Sequence, residues 1–463
     1  MKEFLCTLLG GILFFLSTGL GPVWPLAWFA PVPLLWLAYG EEPLWRVLVA
    51  SFAAYAIGQL NLFEAYAQIW PILIMIITIT SSAFAIAVLF ARQVSRHLAP
   101  IVAVLAFPAF WTGFEYLYSL VSPNSTYGSL SYSQVPAPVL IQSASLFGLW
   151  SVTFLLCLVA AALALVLRRG RRATSVGVAV AILFAANAVF GIVRLSSPSG
   201  RTERVGAAAD DAIEFGGPQD AAISVAQRYA DMARSLAAKG AQTVVLPEKI
   251  AVLRPQWRDE AAPFALVASQ TGSRIVVGFE ERADRNRNVA VTFEPNGSGA
   301  HYVKRHLLPG AESGIVPGDA PGLFGGGRGV EICKDLDFPN TIRDDARLGV
   351  RLIYVPAWDF GADGRAHANM AIMRSVEDGF SMVRAARNGL LTANDAEGRI
   401  VASASSNTDG EVSILADVHE GSNRTLYLKI GDDFAKFCLI LLVTIEVAAL
   451  LRGSGREQER RDA

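Results

Sequence analysis

GVEICKDLDFP, residues 329–339, holds a cysteine at the end of a short segment in which Val330 and Ile332 flank Glu331, with a charged pair directly after it. The run from Gly329 to Ile332 predicts a strand, so Cys333 stands where strand gives way to turn. Of the four cysteines, Cys6, Cys157 and Cys438 lie in long apolar stretches, which leaves Cys333 alone in the polar part of the chain. Neither a disulfide framework nor a CxxC metal pattern can be built from that distribution. A lone thiol in a globular domain is ordinarily a small packing residue. Its function therefore depends on what other strand ends bring to it.

Two further stretches bring charged groups. VVLPE, residues 244–248, ends a strand on Glu248, and HYVKRHLLPGAE, residues 301–312, carries Lys304. From residue 203 onward, short β-branched runs alternate with helical patterns, which predicts an α/β sheet architecture. Strands are expected near 204–208, 243–246, 274–279, 289–294, 302–305, 329–332, 352–355, 390–393 and 400–402, and helices near 219–239, 259–270, 339–347 and 366–384. In the first helix Val225, Tyr229, Met232 and Leu236 share one face and Gly240 follows as a stop. Pro295, Asn296 and Gly297 mark a hairpin turn.

Side chains at the carboxyl ends of strands in such a sheet converge where ligands bind. Glu248, Lys304 and Cys333 would then meet at one edge. A thiolate is strongly nucleophilic but scarce at neutral pH, so it needs a neighbouring base or positive charge. Glu248 can take the thiol proton and return it to a leaving group. Lys304 can stabilise a thiolate and the oxyanion of a tetrahedral intermediate, with the backbone N–H of Lys334 as a second donor. Covalent acyl transfer through a thioester follows from these types. Taken singly, each has a plainer role: Glu248 as a solvated strand end, Lys304 as a surface charge, Cys333 as packing.

At 463 residues, 52% hydrophobic and 17% charged, the chain is long enough for two domains and too apolar for one soluble body. Its formal charge of -1 gives no indication of a polyanionic partner such as nucleic acid. Roughly eight stretches approach the length of about 20 apolar residues that a bilayer crossing needs: near 4–20, 23–40, 46–63, 69–91, 98–119, 138–167, 173–194 and 434–451. The division expected is an N-terminal membrane domain over 1–198 with about seven helices, a catalytic domain over 199–430, and a last membrane helix with a basic tail over 431–463. The first apolar stretch lacks a small-x-small cleavage site and reads as an uncleaved helix.

Lys2, Arg46, Arg92 with Arg96, and Arg168 with Arg169, Arg171 and Arg172 fall in alternate connections. The intervening ones, around Gly21, from Glu64 to Gln68 and from Ser119 to Pro136, hold no Lys or Arg. Positive charge is retained on the cytoplasmic side. Both termini are therefore expected in the cytoplasm, with Arg452, Arg456, Arg460 and Arg461 at the C-terminal end, and the catalytic domain on the periplasmic side. The polar stretch from Ser122 to Gln134 reads either as a head-group contact or as a solvated loop.

Together these stretches resemble the apolipoprotein N-acyltransferase family, the membrane branch of the nitrilase, or carbon-nitrogen hydrolase, superfamily. GPVWPLAWFAPVPLLWLA (21–38), YGSLSYSQ (127–134) and IQSASLFGLWSVTFLL (141–156) resemble its membrane segments. HLLPGAE (306–312) resembles its HLVPFGE, and ANMAIMRSVEDGFSMVRAARNGL (368–390) resembles the helix and strand that close its sandwich. The resemblance implies a four-layer α-β-β-α sandwich on a bundle of about eight helices, with Glu248, Lys304 and Cys333 as triad and Glu312 as an additional active-site glutamate. It further implies a phospholipid as acyl donor, a diacylglyceryl-modified apolipoprotein as acceptor, a location in the bacterial inner membrane, and no metal or organic cofactor. The chain departs from the family around its substrate loops. Lys334 and Asp335 replace Tyr and Glu, Ala207 to Asp211 replace the usual first strand, and Gly310 and Ala311 replace Phe and Gly. PAWDFG keeps Trp358, and Trp358 with Phe360 reads either as a lid over an acyl chain or as loop packing, while Asp335 and Asp359 read as orienting groups. The cysteine context is closer to soluble nitrilase-type amidases. A membrane-tethered amidase is thus the alternative enzyme reading, and a lipoprotein-binding scaffold the non-enzymatic one.

Overall fold

The computed structural model describes residues 1–196, 200–213, 219–253, 258–297, 299–408 and 410–462. The division expected at residue 198 and the side chains of Arg456, Arg460 and Arg461 lie outside the described residues. The chain forms two compact units, Met1–Arg194 with Ile430–Ala463, and Leu195–Lys429.

The first unit is helical. Four runs among the described residues are long and apolar enough to cross a membrane: Leu44–His97, Pro100–Val121, Leu149–Leu195 and Asp433–Gly453. Leu44–His97 and Leu149–Leu195, at 54 and 47 residues, far exceed the roughly 20 residues of one crossing. The first is divided by tight turns at Leu60–Leu62 and Ala67–Ile69 into the helices Leu44–Gln59 and Trp70–His97. The second is divided at Gly170–Ala173 into Leu149–Arg169 and Thr174–Leu195.

Two expected crossings are interrupted. Over 23–40 the prolines leave a 3₁₀ turn at Trp24–Trp28 and a short helix at Val32–Ala38, because proline lacks the amide hydrogen and crowds the preceding turn. Over 138–167 only Leu149–Arg169 is a long helix, since Gly148 at φ 70° breaks the chain away from the short helix Ala144–Phe147. The second half of the Ser122–Gln134 stretch is not solvated: Ser129, Ser131, Ser133 and Gln134 are buried. The buried carboxylate of Glu115 draws it in, accepting from Trp111 Nε1 at 3.0 Å, Ser129 Oγ at 2.6 Å, the Leu130 amide at 2.9 Å and Thr153 Oγ1 at 2.9 Å. A buried charge requires such a set of donors.

The second unit is a sandwich of two sheets. The first contains β1 (Thr202–Asp210), β2 (Thr243–Val245), β3 (Ala251–Leu253), β4 (Arg274–Glu281), β5 (Arg287–Phe293) and β6 (His301–Val303). The second contains β7 (Leu323–Phe324), β8 (Arg328–Val330), β9 (Leu352–Trp358), β10 (Ser381–Arg387), β11 (Leu390–Asn394) and β12 (Ile400–Ser405). The last strand, β13 (Glu411–His419), returns to the first sheet. The strand orders are β13-β1-β2-β4-β5-β6, with β3 on β4, and β12-β11-β10-β9-β8-β7.

Side-chain alternation with period two explains the layering. Val205, Ala207 and Ala209 of β1 meet Leu352, Tyr354, Val383 and Ala385 of the other sheet in the inner core. Ala208, Val244, Ile275 and Val277 turn outward under the helices Gln219–Ala238 and Arg258–Thr271. Ile353, Val355 and Met382 turn outward on the opposite side, under Pro339–Arg347 and Gly364–Asp378. The architecture is therefore α-β-β-α.

The helix expected over 366–384 ends at Asp378, because Gly379 adopts φ 75° and closes it in the left-handed conformation that glycine favours. The residues after it form β10, parallel to β9. Four strands escape the sequence reading: β3, β7, β10 and β13.

Gly278 in β4 fixes the position of the Glu248 segment. A Cβ there would stand 2.5 Å from Glu248 Cα and 2.6 Å from the Pro247 carbonyl oxygen. Both are backbone atoms, so the strand end must shift to relieve the clash. Gly278→Ala is expected to destabilise the sandwich by about 1–3 kcal/mol, the usual range for overpacking, as read by thermal unfolding. An unchanged unfolding midpoint would show that the approach is not tight.

Candidate active site

Glu248 follows β2 through Leu246 and Pro247, and its amide donates to the Ala357 carbonyl at 3.3 Å, tying the end of one sheet to the other. Lys304 directly follows β6, and its amide is held by the Asn288 carbonyl at 2.9 Å. Their side chains are both about 3% exposed. Lys304 Nζ lies 2.8 Å from Glu248 Oε1 and 3.0 Å from Glu312 Oε2.

Two residues that sequence reasoning missed complete this cluster. Asn288 Nδ2 donates to Glu248 Oε1 at 2.6 Å and to Glu312 Oε1 at 2.7 Å, clasping the two carboxylates. Lys249 Nζ pairs with Glu312 Oε1 at 2.7 Å, with its backbone at φ 50°. Asn288 carried no charge signal, whereas Lys249 adjoins Glu248 and was legible as a neighbouring cation. Burial alone would raise the carboxyl of Glu312. The charges of Lys304 and Lys249, with the donating Leu308 amide at 2.7 Å, hold it down at about 2. Burial would likewise discharge Lys304, but Glu248, Cys333 and Glu312 hold its ammonium well above the ordinary lysine range.

Cys333 opens the short 3₁₀ helix Cys333–Asp337, after Ile332 in extended conformation. Its φ of 40° lies in the left-handed region, where a residue with a Cβ is strained. Asp335, fully buried, holds that turn. One of its oxygens accepts from the Ile332 amide at 3.1 Å and from Tyr302 Oη at 2.7 Å. The other accepts from the amides of Arg305 at 3.1 Å and His306 at 2.8 Å. Asp335 therefore staples the backbone just before Cys333 to the backbone just after Lys304. Burial pushes its carboxyl up to about 6, against the opposing effect of these donors and nearby cations.

The thiol is half-buried and donates weakly to the Trp358 carbonyl at 3.5 Å. Burial first, then the charges of Glu248 and Asp359, push it well above the ordinary thiol range, while Lys304 and Arg384 oppose the shift. Cys333 therefore rests as a thiol, and a neighbouring base would be needed to ionise it.

The remaining expected site residues are placed as follows. Lys334 is buried, with Nζ 2.9 Å from Asp337 Oδ2 and above the Phe338 ring. Trp358 presents its carbonyl to Cys333, and the Arg387 guanidinium covers its ring at 4.6 Å. Phe360 is 59% exposed. Asp359 is fully buried in a bidentate pair with Arg384. No cluster of His, Cys, Asp and Glu suited to a metal occurs among the described residues.

A two-sheet sandwich that brings these groups to one edge defines the class, a carbon-nitrogen hydrolase fold, here on a chain that also has an apolar helical unit. The carbon-nitrogen hydrolase family model matches residues 220–434, and the model for the apolipoprotein N-acyltransferase N-terminal domain matches residues 10–162. The apolipoprotein N-acyltransferase of Geobacter metallireducens is 26% identical over 99% of this chain and 97% of its own length. That of Pseudomonas putida is 26% identical over 82% of this chain and 83% of its own. The chain belongs to the apolipoprotein N-acyltransferase family, within the carbon-nitrogen hydrolase superfamily, and is a bacterial membrane protein. Among solved structures, an amidase from Nesterenkonia sp. AN1 with an acetamide moiety added at its active-site cysteine aligns with 52% of this chain and 97% of its own, at 19% identity and a TM-score of 0.44. The same amidase after removal of its tag covers 50% of this chain and 98% of its own, at 19% identity and a TM-score of 0.43.

Two titrations check the electrostatics. Removing the Glu248 charge lifts one of the effects that raise the thiol. Glu248→Gln is therefore expected to titrate Cys333 at lower pH than wild type, read as the thiolate absorbance lost in Cys333→Ala; an unchanged or higher midpoint would contradict the arrangement. The depressed Glu312 carboxyl contributes stability that is fully present above its ordinary value of 4.5 and lost as pH falls through about 2. Wild-type protein should lose part of its thermal stability across that window, and Glu312→Gln should lose less.

Proposed function

We propose that the chain transfers an acyl group from a membrane phospholipid, through a thioester on Cys333, to the N-terminal amine of the lipidated cysteine of an apolipoprotein. This reading is supported by the buried Glu248, Lys304, Glu312 and Asn288 cluster, whose Glu248 and Lys304 charges act on the Cys333 thiol, in a chain whose relatives are named apolipoprotein N-acyltransferases.

The steps follow from the charges. Glu248 takes the thiol proton as sulfur attacks the ester carbonyl carbon of the phospholipid, and Lys304 with the Lys334 amide stabilises the oxyanion. Collapse of the tetrahedral intermediate breaks the acyl C–O bond, and Glu248 gives its proton to the departing lysophospholipid oxygen. The acceptor amine then attacks the thioester carbonyl carbon, Glu248 removes a proton from the nitrogen, and the C–S bond breaks as the thiol is restored. Asp335 and Asp359 support the cysteine turn and the Trp358 loop from beneath, while exposed Phe360 and the Trp358 ring face the acyl chain. Alternating Lys and Arg in the connections supports cytoplasmic termini and a periplasmic catalytic unit. Both substrates are lipidated, which gives a reason for joining this sandwich to membrane helices.

Mass spectrometry of the purified full chain mixed with phospholipid should show a fatty acyl adduct on Cys333. The adduct should be absent in Cys333→Ala, and its rate of formation should fall at least about 10²-fold in Glu248→Gln. Addition of a diacylglyceryl-modified peptide should discharge it to the amide. Discharge to free fatty acid at the same rate with and without that peptide would instead identify a tethered hydrolase.

A further inference from the structure

At one end of the helical unit, a cavity of about 710 Å³ is lined by Tyr39, Glu41, Pro100, Arg168, Arg169 and Arg172. It lies where three chain reversals meet: the turn after Val32–Ala38, the turn between Trp70–His97 and Pro100–Val121, and the turn between Leu149–Arg169 and Thr174–Leu195. Around these turns six arginines (Arg92, Arg96, Arg168, Arg169, Arg171, Arg172) face two glutamates (Glu41, Glu42), an excess of four positive charges.

Part of this charge is committed to building the cavity. Arg92 is buried and donates to the carbonyls of Ala38 and Glu42, fixing the turn, and Arg169 donates to the Ser95 carbonyl at 2.5 Å. Arg168 lies 4.7 Å above the Trp36 ring and 3.6 Å from Glu42, a separation at which the ion pair is loose. Arg172 is exposed. The hydroxyl of Tyr39, in the cavity wall, is buried and has no hydrogen-bond partner. A preformed cationic cavity with an unsatisfied hydroxyl in its wall suits an oxyanion.

The surroundings specify its source. The residues adjoining the lining ones, Leu167 at 60% exposed and Ile101 at 56%, are apolar and open, as are Leu44 and Trp45 nearby in the chain. A soluble anion would gain nothing from them, whereas the acyl chains of a lipid would cover them. We infer that this cavity binds the phosphodiester head group of an anionic phospholipid, Arg168 and Arg172 pairing with the phosphate and Tyr39 donating to it after a small side-chain rotation. The site uses none of the residues placed beside Cys333, so its test does not depend on the acyl-transfer reading.

Native mass spectrometry of the detergent-solubilised full chain, titrated with phosphatidylglycerol or phosphatidylcholine, reads the preference directly. Phosphatidylglycerol should bind at least about fivefold more tightly, and Arg172→Gln should remove about fivefold, the effect of one cation beside an anionic lipid. Arg168→Gln/Arg172→Gln should abolish the preference, and Arg171→Gln, outside the lining, should retain it. Thermal unfolding of each variant separates loss of the site from loss of the fold, and Arg172, being exposed, provides the variant that keeps the fold. Equal binding of the two lipids, or an Arg172→Gln variant indistinguishable from wild type, would overturn the proposal. So would displacement of phosphatidylglycerol by millimolar inorganic phosphate, which would make the cavity a site for free anions.

Discussion

A lysine ammonium buried between two carboxylates is the constraint on which the sandwich edge depends. Taking Lys304, Glu248 and Glu312 out of water costs several kcal/mol per ion, and their mutual attraction offsets that cost only when geometry and the remaining hydrogen bonds are good. Here they are good: Asn288 bridges the carboxylates, Lys249 supplies the second positive charge, and the Leu308 amide fills a further acceptor position. Two cations and two anions sum to zero. Removing any one leaves an uncompensated buried charge, so each of these side chains holds the others in place.

That neutrality bears on the chemistry. A thiolate added to an already neutral cluster would be an excess negative charge in a poorly solvated site, which agrees with a thiol held well above its ordinary range. In the proposed reaction Glu248 takes the proton, so the carboxylate charge disappears as the sulfur charge appears and the total does not change. The same holds when charge moves from sulfur to the carbonyl oxygen. Each step of the proposed acyl transfer would move charge within the electrostatic reach of Lys304, so little reorganisation would accompany it.

The sequence exposed the strands that lead to the three groups because each is a short β-branched or apolar segment before the polar residue: Val244 to Leu246 before Glu248, Tyr302 and Val303 before Lys304, and Val330 and Ile332, alternating with Glu331, before Cys333. It hid most of β10 because the helix expected over 366–384 runs through Ser381 to Arg384, and the charges of Arg384 and Arg387 do not suggest a buried strand. Both are buried, and Arg384 is tolerated there only because Asp359, 25 residues earlier, meets it with both oxygens. Pairing across strands is invisible to a local pattern. Asn288 was hidden for a related reason: an amide has no charge, and its importance lies in two carboxylates that approach it from other segments. The prolines of 21–38 were legible individually, but their number within one apolar run decided against a continuous helix.

Lys334 and Asp335 were the residues that most separated this chain from its family pattern, and their surroundings show what the departure does. Asp335 does not stand beside the thiol as a second acid. It spans from the Ile332 amide to the amides of Arg305 and His306, and so couples the position of Cys333 to that of Lys304. Lys334 turns to Asp337 within the same short helix. Both side chains reinforce a turn whose first residue carries the strain of a positive φ. Strain of about 1–3 kcal/mol survives only where the surroundings over-determine it. Asp335 provides that determination from two directions, because a shift of either the cysteine turn or the lysine strand end would leave its buried carboxylate short of a donor.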